Sequence, residues 1–166
     1  MKKWMVGLVL LLCLTFCACS SVETFEIISD VIVVGQVSEP AKVSVRIPDD
    51  AALAVMSGND GQSYEGDHYQ IVIQTYAAGD LNKTLRYVTG YNSEQLNLME
   101  VPSEGYNKYL GAWSSVSGEG ELVGRCAVLD DGLYHYCLSV LVDANMSGEM
   151  RDEIDALFAD YSLEGY

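Results

Sequence analysis

The sequence predicts an α+β fold: a curled antiparallel β-sheet packed with a short central helix and a C-terminal amphipathic helix, preceded by a signal peptide. Three observations carry this. Residues 42–47 and 69–76 alternate apolar and polar positions with the period of a half-buried strand. Residues 122–129 and 133–143 flank Asp130-Asp131-Gly132, which has the turn chemistry of a hairpin. Residues 81–89 and 147–161 place apolar side chains at helical spacing. Many strands broken by two helices read as helices laid on an antiparallel sheet.

The chain opens on Lys2 and Lys3, an apolar run over 4–16, and Cys17-Ala18-Cys19-Ser20-Ser21. A basic start, a short apolar core and small residues at its end make a secretory signal. The run is about two-thirds of the roughly 20 residues that a transmembrane helix needs. Phe16-Cys17-Ala18-Cys19 resembles the lipobox of bacterial lipoproteins, with Ala18 before the cut and Phe16 where Leu is usual. The resemblance implies diacylglycerol on Cys19 and attachment to the outer side of the cell membrane. Two acyl chains hold stably where one is marginal. An ordinary signal peptidase would instead cut after Ser20. The expected organisation is a signal peptide over 1–18, a lipid-anchored tether over 19–24 and one globular domain over 25–166.

Residues 25–34 combine β-branched enrichment with helical spacing of Phe25, Ile28 and Ile32, and both readings stay open. A loop over 35–40 precedes the alternating strand at 42–47, which Pro48-Asp49-Asp50 ends. A short strand at 51–56 leads to a turn at 57–61. Tyr64 begins a longer strand region, in which Tyr69, Ile71, Ile73 and Thr75 share one face and Gln70, Val72, Gln74 and Tyr76 the other. At Asp80 the period changes to that of a helix. Its carboxylate suits the N-cap, Leu81, Leu85 and Val88 form the apolar stripe, and Gly90 suits the stop. Further strands are expected at 96–101 and 106–115, with a turn at 102–105.

The C-terminal helix buries Met150, Ile154, Leu157, Phe158 and Tyr161, while Glu149, Asp152 and Glu153 suit its positive start. Ser162-Leu163 closes the chain as a short extended segment. The aromatic-rich strand Tyr134-His135-Tyr136-Cys137-Leu138-Ser139-Val140, then this helix, then Ser162-Leu163, is similar to the layout of PsbP-like and DcrB-like α/β/α sandwich proteins. Small surface lipoproteins of unknown function from Gram-positive bacteria also resemble it. The resemblance spans roughly residues 42–163, implies a non-catalytic scaffold or binding module, and carries over no functional residues.

Removing the leader leaves 148 of 166 residues, enough for one domain with a core that needs no staples. The same cut takes away Lys2 and Lys3 and moves the net charge from −15 to −17. Nucleic acid, which demands clustered Lys and Arg, is disfavoured, and none is expected as a partner. Anionic headgroups should repel the domain, so the expected membrane contact is the lipid anchor alone. The acids are scattered, as solubility at a crowded surface requires.

No cofactor or metal is expected. The two histidines, His68 and His135, lack a close second ligand at metal spacing. Asn59-Asp60-Gly61 and Asp130-Asp131-Gly132 lack the further carboxylates of a calcium loop. The glycine-rich stretch at 118–124 carries Glu119 and Glu121 where a phosphate would sit. No nucleophile elbow is present, so catalysis is not expected.

Three of five cysteines, Cys13, Cys17 and Cys19, lie in the leader or just past its cut, leaving Cys126 and Cys137. A two-residue hairpin turn sets them opposite each other at disulfide distance. A three-residue loop with a glycine bulge sends them to opposite faces as unbridged thiols. The second register also keeps Arg125 away from Tyr136 and Leu138, so amphipathicity favours it. Eleven tyrosines and two tryptophans complete the inventory. Tyr64, Tyr69, Tyr76 and Trp113 are the candidates for an aromatic ligand surface. The expected function is that of a membrane-anchored, non-catalytic accessory or interaction domain. The alternative is a ligand-binding lipoprotein with an aromatic groove for a saccharide or peptide.

Overall fold

The computed structural model describes residues 39–54, 61–118 and 120–165. The leader, Cys19, the tether, the 25–34 segment and the turn at 57–60 lie outside them. Residues 40–166 cluster as one unit. Its strands are β1 (Val43–Ser44), β2 (Ala52–Ala54), β3 (Gly61–Gly66), β4 (Tyr69–Ala77), β5 (Met99–Pro102), β6 (Asn107–Ser117), β7 (Gly120–Asp130), β8 (Tyr134–Asp143) and β9 (Ser162–Leu163). The helices are α1 (Leu81–Thr89) and α2 (Arg151–Asp160). Among the described residues no helix is long and apolar enough to cross a membrane.

Seven strands form one sheet in the order β2-β3-β4-β8-β7-β6-β5, and every neighbouring pair is antiparallel. The fold is α+β, as the sequence predicts. The central strands of the sheet are buried on both sides. Tyr69, Ile71 and Ile73 of β4, Ala127 and Leu129 of β7, and the even-numbered β8 residues from Tyr136 to Val142 face α2. They meet Ile154, Leu157, Phe158 and Tyr161 there. Cys126, Val128 and Cys137 face the other way, against Leu85 of α1 and Leu96. Helix, sheet and helix make three layers.

The N-terminal segment extends the α2 layer. Ala41, Val43, Val45 and Ile47 all pack inward, as the period-two pattern predicts. Only β1 enters a ladder, however, and its partner is β9 at the opposite end of the chain. The expected six-residue strand is therefore mostly extended chain held by side-chain packing.

Helix α1 follows its sequence signals. The Asp80 side chain accepts from Asn82 N at 3.0 Å, and Gly90 takes the left-handed conformation at φ 83°. Asp80 thus satisfies one of the orphan N–H groups at the start. At the far end of α2, Lys108 Nζ donates to Phe158 O at 2.7 Å and Tyr161 O at 2.9 Å. A cation on the last carbonyls opposes the helix dipole, while burial lowers the lysine from its ordinary value.

The β7–β8 register corrects both sequence expectations. Asp130 pairs with His135 and Cys126 with Ser139, leaving a four-residue connection. Its own carboxylates build it. Asp130 Oδ1 accepts from Gly132 N, and Asp131 Oδ1 accepts from Leu133 N and Tyr134 N. Side-chain acceptors that capture loop amides favour this longer turn over a two-residue one. Burial pushes Asp131 up, but these amides and the Tyr136 hydroxyl outweigh it and hold the carboxyl below its ordinary value.

Candidate functional site

The new register puts Cys126 and Cys137 on the same face, as diagonal neighbours on adjacent strands, where the favoured sequence reading sent them to opposite faces. Both are buried free thiols. Burial pushes Cys126 up to about 12 and Cys137 higher still, so neither presents a thiolate at neutral pH. Arg125 shares its face with Tyr136 and Leu138, contrary to the amphipathic expectation. It reaches the rim, where its guanidinium lies 4.7 Å from the Phe158 ring centre and pairs with Asp155 of α2.

His135 points inward, toward α1. It is 1% exposed, and its Nδ1 lies 2.8 Å from Thr84 Oγ1 of α1. This bond ties the sheet to the helix. His68 occupies the β3–β4 turn at φ 70°, with Nδ1 2.8 Å from Asp143 Oδ2. The hydrogen bond to Asp143, and then the charge of Asp67, raise its pKa above 6.5. Asp143 is 75 residues away, so the sequence around His68 gives no hint of it.

The four aromatic candidates do not come together. Tyr64 and Tyr69 lie on the α2 side, where the Tyr69 hydroxyl donates to Asp50 Oδ1 at 2.8 Å. Tyr76 and Trp113 lie on the α1 side. Trp113 packs its indole over Gly124, where a Cβ would fall 2.1 Å from the ring. A seven-stranded sheet stands between the pairs, so they form no shared groove.

What the structure does assemble is a face on α1. Lys83, Arg86 and Tyr87 lie at helical spacing and are all exposed, Tyr87 by 66%. The Tyr76 ring stacks on Tyr87 with centres 6.3 Å apart and planes 20° from parallel. Lys83 Nζ sits 5.9 Å from the Tyr87 ring centre. With Asp80 and Asn82 these residues border a depression of about 500 Å³. Helix α1 itself contains no acid, so the face sets two bases against the single N-cap carboxylate of Asp80, in a chain of net charge −15. The signal was present in the sequence as two bases within one acid-free helical turn.

A second depression, about 410 Å³, lies between residues 46–50 and α2. Asp49, Asp50, Glu153 and Asp160 outnumber Arg46 along its border, so it opposes in charge the face on α1.

No protein-family model matches the chain, and no curated protein matches it in sequence. Its fold is similar to that of cyanobacterial PsbP from Synechocystis, with a TM-score of 0.55 at 7% identity, over 73% of this chain and 86% of that one. It is also similar to a protein from Bacteroides thetaiotaomicron, with a TM-score of 0.51 at 11% identity, over 75% of this chain and 46% of that one. The architecture is thus a PsbP-like α/β sandwich. At these identities the likeness is one of fold.

Proposed function

We propose that this chain is an extracytoplasmic lipoprotein, held at the membrane by diacylglycerol on Cys19, whose domain is a non-catalytic interaction module. The observation that carries the anchor is the leader, with Ala18-Cys19 closing a short apolar run behind Lys2 and Lys3. The non-catalytic reading is supported by how the chemically capable side chains are employed. His135 joins β8 to α1, both thiols fill the α1-side core, and Lys108 closes α2. Each holds the scaffold together. The acyl chains supply the membrane affinity, which leaves the domain surface to partners.

Mass spectrometry of the mature N-terminus tests the anchor. The expected species begins at Cys19 and carries diacylglycerol, and Cys19→Ser releases the protein from membranes. An unmodified chain beginning at Ser21 would overturn the anchor. Crosslinking and pull-down of the surface-displayed protein tests the module. A specific partner recovered by the wild type supports it, and turnover of a substrate by the purified protein sinks it.

A further inference from the structure

We infer that the exposed face of α1, made by Lys83, Arg86 and Tyr87 with Tyr76 behind them, is a binding site for a carboxylate-bearing saccharide chain. The inference rests on the interaction-module reading and names the surface and the ligand class. Three observations carry it together. The first is charge. In a mature chain of −17, Lys83 and Arg86 lie one turn apart, both exposed, and outnumber the one acid at the depression, the N-cap Asp80. Such a pair draws an anion to this place on a domain that is acidic as a whole. Arg86 offers a planar fork to a carboxylate, and Lys83 a mobile point charge.

The second is the ring. A large aromatic residue exposed by 66% beside two cations presents an apolar plane for the C–H face of a sugar. Tyr76 stacks behind Tyr87 and fixes the plane at a small entropy cost. The third is size. The depression of about 500 Å³ falls within the range of small-ligand sites. A stable protein partner would instead need a patch of about 800 Å² on each side. One ring and two bases are also too little apolar area for insertion into a bilayer, which the remaining charge opposes.

The test titrates the full-length lipidated protein, in neutral detergent, with oligogalacturonate and with hyaluronan fragments. Methyl-esterified oligogalacturonate serves as the uncharged analogue, and inorganic polyphosphate and phosphatidylglycerol vesicles as the other anionic probes. Saturable binding of at least one uronate chain is expected, with the methyl ester bound about tenfold more weakly or not at all. Lys83→Ala with Arg86→Ala should weaken binding about tenfold or more, and Tyr87→Ala about fivefold. All three positions are exposed, so thermal midpoints should stay at the wild-type value. Failure of both uronate chains to bind overturns the inference. So does equal binding of the methyl ester, unchanged binding by the variant carrying Lys83→Ala with Arg86→Ala, or binding of polyphosphate or vesicles alone. Crosslinks to a partner that map elsewhere would sink this inference and leave the interaction-module reading standing.

Discussion

Tyr161 shows at the scale of one residue how this core trades polarity for packing. The side chain is fully buried on the α2 face, and among the described residues its hydroxyl has no hydrogen-bond partner. Burial raises its pKa well above the ordinary value, with Cys137 and Tyr136 adding to the effect, so the group stays neutral. An unpaired buried hydroxyl costs about 1–3 kcal/mol. Tyr161→Phe should therefore raise stability by about 1 kcal/mol, read as a higher denaturant midpoint at unchanged slope. A loss of similar size would mean that the hydroxyl bonds to a group beyond the described residues. His68 makes the opposite case, at an exposed position. Its raised pKa means that the Asp143 contact is fully present below pH 6.5 and is lost as pH climbs through the folded-state value. The thermal midpoint should fall slightly as pH rises above about 6.5 on this account. His68→Asn keeps a residue that tolerates φ 70° and should remove the slope. An unchanged slope in that variant would assign the titration elsewhere.

Among elements, the β6–β7 pair depends on one close approach. Trp113 pairs with Gly124, and its ring occupies the space where a side chain would stand. Gly124→Ala should expel the indole and cost about 1–3 kcal/mol, with a change in tryptophan emission as the indole meets water. Emission and stability both at wild-type values would refute the packing. How far elements can be read from sequence depends on whether they carry their own signals. Helix α1 was fully legible, because Asp80, the Leu81-Leu85-Val88 stripe and Gly90 are local features. The inward alternation of residues 41–47 was legible too, but the partnership of β1 with β9 was not, since nothing local marks a partner so distant. The β7–β8 register failed for a different reason. Amphipathicity selects a register only when one face is wet, and here α1 and α2 bury both. The same two-sidedness scattered the aromatic candidates, because tyrosines on alternate faces look like one crowd in a linear sequence. The face on α1 lay in plain view as Lys83, Arg86 and Tyr87, but its significance depends on Tyr76, which β4 brings beside the helix.

At the scale of the molecule, charge governs stability and recognition with opposite signs. The chain carries −15 with its acids spread over the surface, so like charges oppose the compact state. Screening relieves that repulsion. Raising sodium chloride from about 10 mM to about 300 mM shortens the Debye length from about 30 Å to under 10 Å. The thermal midpoint should rise by a few degrees over that range, as it would for about 1 kcal/mol of relief in a domain of this size. The face on α1 attracts its anion through the same screened field, so its affinity for oligogalacturonate should fall over the same range. A protein that gains stability while losing the ligand cannot be losing it through unfolding. The salt titration therefore separates local recognition from global stability without a mutation. Lys83→Ala with Arg86→Ala completes the comparison, because it makes the chain still more acidic. Its midpoint should rise with salt at least as steeply as that of the wild type, while the salt dependence of binding disappears. If binding in that variant stayed as salt-sensitive as in the wild type, the anion would be held by charges other than these two.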